Sequence, residues 1–182
     1  SRLAASIAMC AARLIRRGFR VAVATPMAPA HRGAKALIRR EVVRLITPGT
    51  LTEDALLEAG RPNRLLALAP DGARIGVAWL DVSTGLFETQ GIAATDLAAL
   101  LGRLEPAEIL APGAVPLGDW EDRRAPEPPP SAPDQARRRL AEAFGAASLD
   151  AFGSFTDAEA IAAWQALDYV RAAGAGALPR LQ

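Results

Sequence analysis

The residues with the most evident capacity for chemistry are cationic and crowd one end of the sequence. Ten Lys or Arg (Arg2, Arg13, Arg16, Arg17, Arg20, Arg32, Lys35, Arg39, Arg40 and Arg44) fall within residues 1–50, against one acid, Glu41. That segment carries +9, and the remainder, with eleven bases and nineteen acids, carries −8. A guanidinium can grip a phosphate through two parallel N–H donors, which supplies affinity without reading base sequence. Arg16, Arg17, Lys35, Arg39 and Arg40 are the candidates for contact with a nucleic-acid backbone, the last three clustered just before an expected strand. The competing reading is a solvated basic face that pairs with the acidic remainder.

Asp81 invites a catalytic reading. Metal-dependent nucleases of the ribonuclease H type hold two cations with several convergent carboxylates, one of them on a central strand. Here no acids follow at matching positions. Asp119, Glu121 and Asp122 lie near a Pro-rich stretch, and Asp134 and Asp168 fall on expected helices. Asp81 reads better as a turn former ahead of Ser83-Thr84-Gly85, so no catalytic residue is assigned. Cys10 and His31 are the sole cysteine and histidine. A structural zinc site needs about four such ligands, so no metal site is assigned, and one cysteine forms no disulfide within the chain. Cys10 falls on an apolar stripe and is expected to be inert. Trp79, Trp164 and Tyr169 read as packing residues rather than a stacking platform for bases.

The elements that must carry these residues are legible in outline. Residues 3–17 have apolar spacing of three to four and read as a helix closed by Gly18. Phe19–Ala24 and Glu41–Ile46 read as strands, with breakers Pro26 and Pro29 and a loop or short helix at 26–36 between them. Thr47-Pro48-Gly49-Thr50 reads as a turn and a domain boundary. Thr52 can cap a short helix at 53–59. Three strands then follow at Arg64–Ala69, Arg74–Asp81 and Gly85–Gly91, with Asp71-Gly72 as a two-residue hairpin turn. A helix is expected at 95–104 with Thr95 as its N-cap and Pro106 as its stop. The strand Glu108–Ala111, reached through that helix, should lie parallel to a neighbour. Residues 122–133 are too Pro-rich for regular helix. Helices follow at 134–144 and 157–173, and Gly174-Ala175-Gly176 should be flexible.

The chain has 182 residues, of which 51% are hydrophobic and 23% charged, enough to bury a core. Much of the apolar content is Ala, which makes thin helices. No run is long and apolar enough to span a bilayer. Ser1 to Arg17, rich in Ala and Arg and free of acids, has transit-peptide character, but a helix cut from a longer protein fits it better.

A stretch of motifs in order carries a resemblance. Val42-Val43-Arg44-Leu45-Ile46-Thr47-Pro48-Gly49-Thr50-Leu51-Thr52-Glu53-Asp54-Ala55-Leu56-Leu57 resembles the segment that joins the first two domains of the MutS family of DNA mismatch repair proteins. The similarity continues through Asn63 to Ala67, Leu80 to Phe87, Leu104 to Leu110, Arg137 to Phe144 and the helix around Tyr169. Backwards, Ala12 to Val23 is similar to the last helix and strand of the mismatch-binding domain.

The resemblance implies an α/β fold: a partial mismatch-binding domain at 1–50, a linker at 51–62 and a ribonuclease H-like connector at 63–182. It implies a connector module that links mismatched-DNA binding to ATP-dependent clamp formation, with no catalysis of its own. Expected partners are duplex DNA, other MutS domains and MutL, the last docking on the helix that carries Arg138 and Arg139. No membrane is expected, and the implied location is the bacterial cytoplasm with the nucleoid. ATP and magnesium would belong to the full-length family, with no cofactor here. Departures are plain. No Phe is followed two residues later by Glu, the family's mismatch wedge, and the G-x-x-x-x-G-K-[ST] phosphate loop is absent. Ala24-Thr25-Pro26 stands where relatives carry an acidic stretch. Two alternatives remain beside this reading: a ribonuclease H-like metal-dependent nuclease, and a standalone RNA-associated structural remnant.

Overall fold

A computed structural model describes residues 10–11, 13–15, 17–26, 40–50 and 63–173. Most of the expected helix at 3–17 lies outside these residues. So do nearly all of the 26–36 stretch, the short helix at 53–59 and the Gly174-Ala175-Gly176 end.

Residues 10–11 and 13–15 are helical. Gly18 closes this helix with φ +81°. Its N–H bonds Ile15 O at 2.8 Å while Phe19 N–H reaches back to Leu14 O at 3.1 Å. That pair of bonds is the glycine-centred C-cap in which a left-handed residue satisfies the last carbonyls. The chain then enters β1 (Val21–Pro26), which pairs antiparallel with β2 (Arg40–Ile46). The expected strand at Phe19–Ala24 is thus displaced by two residues. The helix cap consumes Phe19, which stays 56% exposed. A register shift between Val23 and Ala24 lets the pairing run on to Pro26 instead of breaking there. A small apolar cluster of Ala11, Ile15 and Ile46, with Val21 and Val23 against it, holds helix and hairpin together.

The second sheet has four strands: β3 (Arg64–Asp71), β4 (Arg74–Asp81), β5 (Leu86–Ala93) and β6 (Glu108–Leu110), in spatial order β5-β4-β3-β6. β3, β4 and β5 form an antiparallel meander, and β6 returns parallel to β3, as expected for a strand reached through a helix. The first hairpin turn lies one residue later than expected. Asp71 pairs with Arg74, so Gly72 and Ala73 are the central residues, and Gly72 takes φ +58°. Glycine at the first central position accepts that backbone at no steric cost.

Both faces of this sheet are covered, which is why Leu65-Leu66-Ala67-Leu68-Ala69 is apolar without alternation. Leu65, Ala67, Ala69, Ala78 and Leu80 face α2 (Pro133–Ala143) and α3 (Asp157–Ala173). Leu66, Leu68, Val77, Trp79 and Ile92 face α1 (Leu97–Leu104). The result is a helix–sheet–helix sandwich, so the molecule is mixed α/β with two sheets. The Ala-rich composition has a use here. α3 lies so close to β4 that a Cβ on Gly76 would meet the backbone carbon of Ala158 at 2.2 Å.

The start of α1 corrects the expected cap. Ala94–Asp96 form a 3-10 turn first, anchored by Ala94 N–H on Ala73 O at 2.9 Å. Thr95 therefore lies inside that turn and makes no cap bond to the helix. No helix among the described residues is long and apolar enough to cross a membrane.

Candidate nucleic-acid and docking surfaces around a buried junction

The Thr47-Pro48-Gly49-Thr50 turn does more than end a strand. Thr47 and Thr50 are buried, their hydroxyl oxygens 2.8 Å apart, and Thr47 N–H donates to Thr50 Oγ1 at 3.1 Å. Locked this way, the turn aims Gly49 N–H at Glu108 Oε2, 3.1 Å away. Glu108 is the first residue of β6, and its side chain is only 4% exposed. Its other oxygen accepts the Tyr169 hydroxyl at 2.7 Å and pairs with Arg20 Nε at 3.4 Å. Burial, with the Glu108 carboxylate beside it, pushes the Tyr169 phenol well above the usual tyrosine range. Four segments thus meet at one carboxylate: the residue before β1, the turn after β2, β6 and α3. Sequence reasoning passed over Glu108. Its one signal was an acid opening a strand too short and apolar to face water.

The basic candidates divide. Arg16, Lys35 and Arg39 lie outside the described residues. Arg17 is exposed at the end of the first helix, beside exposed Arg13. Arg40 opens β2 opposite Pro26 in the hairpin. Cys10, expected on an apolar stripe, is exposed.

The three consecutive arginines of α2 have three different fates. Arg137 is structural. It donates to Phe155 O at 2.6 Å and to Asp157 Oδ1 at 2.9 Å, tying α2 to the start of α3. Arg138 is exposed, with Glu142 Oε1 3.8 Å away one turn on. Arg139 is exposed but lies over the buried Trp164 ring at 5.2 Å, with Arg171 over the same ring at 5.7 Å. A shallow depression of about 400 Å³ adjoins Arg138, lined also by Glu142, Ser148, Leu149 and Asp150.

Asp81 is committed to a turn. Its Oδ1 accepts Ser83 N–H at 3.0 Å and Ser83 Oγ–H at 2.5 Å, and its carbonyl accepts Gly85 N–H at 2.8 Å. Among the described residues no group of three or more His, Cys, Asp or Glu could hold a metal ion. Trp79, 7% exposed, and Trp164, 5% exposed, are core residues as expected.

With this geometry in place, the comparisons decide the family. The pattern of MutS domain II matches residues 63–182, and that of MutS domain I matches residues 4–55. The chain belongs to the MutS family. It is 60% identical over 174 residues to the DNA mismatch repair protein MutS of Granulibacter bethesdensis, covering 95% of this chain and 19% of that protein. It is 44% identical over 178 residues to MutS of Cereibacter sphaeroides, covering 93% of this chain and 20% of the relative. MutS of Ruegeria pomeroyi is 43% identical over 183 residues. The chain therefore spans about a fifth of the MutS proteins it matches. The G-x-x-x-x-G-K-[ST] phosphate loop does not occur in this sequence.

Proposed function

We propose that this chain is the connector module of a MutS protein, together with the last part of its mismatch-binding domain. It transmits DNA engagement by the basic segment toward ATP-dependent clamp formation elsewhere in the protein, and it presents α2 to MutL. The division proposed is mismatch-binding residues at 1–50, linker at 51–62 and a ribonuclease H-like connector at 63–182. An antiparallel meander joined by a parallel strand, with helices on both faces, supports that last description. The module works by binding and coupling, without chemistry of its own, in the bacterial cytoplasm near the nucleoid. Duplex DNA and the other MutS domains are its further partners. Arg16, Arg17, Lys35, Arg39 and Arg40 are proposed to contact DNA phosphates.

The observation that carries the docking reading is that Arg138 and Arg139 are both exposed on α2 while Arg137 is spent internally. The test is binding of this chain to the N-terminal region of MutL from the same source, with Arg138→Glu/Arg139→Glu as control. Binding that the double variant loses by at least tenfold supports the reading. Binding that the double variant retains moves the docking face elsewhere. The nuclease alternative is disfavoured by the family match and by Asp81, whose carboxylate is taken up by Ser83. The RNA-associated remnant has no observation of its own.

A further inference from the structure

Among the described residues, the apolar cores of the two sheets are separate. Ala11, Ile15 and Ile46 pack with the β1–β2 hairpin. The clusters on the two faces of the four-stranded sheet include no residue of that hairpin. What joins the two units, among the described residues, is centred on a polar group. Glu108 receives a backbone N–H from the turn after β2, a hydroxyl from α3 and a guanidinium from the residue before β1. The packing at the turn is tight as well: a Cβ on Gly49 would lie 3.0 Å from both Glu108 Cβ and Leu65 Cδ1.

These contacts are unequal. Gly49 N–H and the Tyr169 hydroxyl lie at hydrogen-bond distance from different carboxylate oxygens, and each is fixed by its own element. Arg20 is longer at 3.4 Å, and its side chain keeps 34% of its surface. An apolar seam allows sliding, because its energy depends on area and not on direction. Hydrogen bonds to a buried carboxylate do not, because a donor that drifts leaves an unpaired charge out of water.

We infer that Glu108 is a positioning residue that sets the orientation of the β1–β2 unit on the four-stranded sheet, with Gly49 and Tyr169 as pivot and Arg20 as tether. This deepens the coupling reading above and rests on it for its biological meaning: a basic segment that binds DNA can steer the connector only if the joint between them holds an angle.

The sequence supplies convenient probes. Tyr169 is the only tyrosine and Cys10 the only cysteine. Cys10 is exposed, and so is Arg103 on α1. Spin labels on Cys10 and on an Arg103→Cys substitution, in the full 182-residue chain, report the distance distribution between the two units. Alkaline absorbance titration reports Tyr169 in the same preparations. The expected result is a narrow distribution for the parent chain that Glu108→Gln broadens about twofold or more, with the Tyr169 midpoint falling toward the ordinary value of about 10. A fallen midpoint with an unchanged distribution overturns the positioning role, since the contact would then exist without setting the angle. No change in either overturns the contact itself. If Glu108→Gln fails to fold, Tyr169→Phe and Arg20→Gln each remove one arm. Broadening in Tyr169→Phe that exceeds that in Arg20→Gln is expected, and unchanged distributions in both overturn the inference. A broadened distribution in a chain that binds neither DNA nor MutL would leave the joint standing and remove the coupling reading instead.

Discussion

At the residue scale, two carboxylates separate by what surrounds them. Asp81 closes a strand, and its side chain satisfies Ser83 N–H and Ser83 Oγ–H. Asp81→Ala should cost about 1–3 kcal/mol in chemical denaturation, because it removes two hydrogen bonds to a buried carboxylate at a turn that Gly85 holds at φ +80°. A loss below about 0.5 kcal/mol would mean that water serves the turn as well. Glu108 instead faces Tyr169 and Arg20. Burial and then Glu108 raise the Tyr169 phenol above its ordinary range, while Arg20 acts in the opposite direction. A group whose folded pKa lies above its unfolded one stabilises fully below the unfolded value and loses that contribution as pH climbs through the folded one. Stability of the chain should therefore fall as pH rises above about 10, and Tyr169→Phe should flatten that fall in urea melts at pH 9 to 11.5. A parent and variant with parallel alkaline losses would contradict this.

Elements are decided by pairing partners as much as by propensity. The strand Arg74–Asp81 and the helix Asp157–Ala173 coincide with their sequence expectations, since each is an apolar run with turn or breaker residues at its ends. The helix also starts with a reciprocal cap that sequence reasoning overlooked: Thr156 N–H and Oγ–H donate to Glu159, whose N–H returns to Thr156 Oγ1. Thr95 has the residue type of a cap but not the role, because a neighbouring backbone bond to Ala73 winds a 3-10 turn first. α3 packs directly over Gly76 of β4. Gly76→Ala should cost more than about 3 kcal/mol, because its Cβ meets fixed backbone and not the end of a flexible side chain. A calorimetric Tm within a degree of the parent would mean that the helix can shift at small cost.

For the whole molecule, charge segregation and the family architecture point the same way. If the five proposed basic residues each meet a phosphate, the binding constant for duplex DNA should fall with a log–log salt slope of about −4.5. Arg39→Gln/Arg40→Gln should reduce that slope by about 2, with no change in preference between sequences. Mismatched and matched duplexes should bind alike, since the sequence holds no Phe-x-Glu wedge. A salt-independent interaction, or a clear mismatch preference, would count against the phosphate assignment. These are fluorescence anisotropy measurements on one chain under matched conditions.

The sequence by itself determined the family, the mixed α/β class, the antiparallel meander with a parallel return strand, and the turn role of Asp81. Each of these rests on local pattern: apolar runs, turn residues, and motifs that keep their order along the chain. Tertiary structure alone decided which arginine of Arg137-Arg138-Arg139 is spent inside, because adjacent helical residues point about 100° apart and only the packing of α3 says which one finds an acceptor. It also decided that Glu108, Gly49, Tyr169 and Arg20 share one site. Gly49 and Glu108 are 59 positions apart and Glu108 and Tyr169 are 61 apart, and no local spacing rule reaches that far. A buried carboxylate becomes a joint only when its donors arrive from separate elements, and that arrival is a property of the fold.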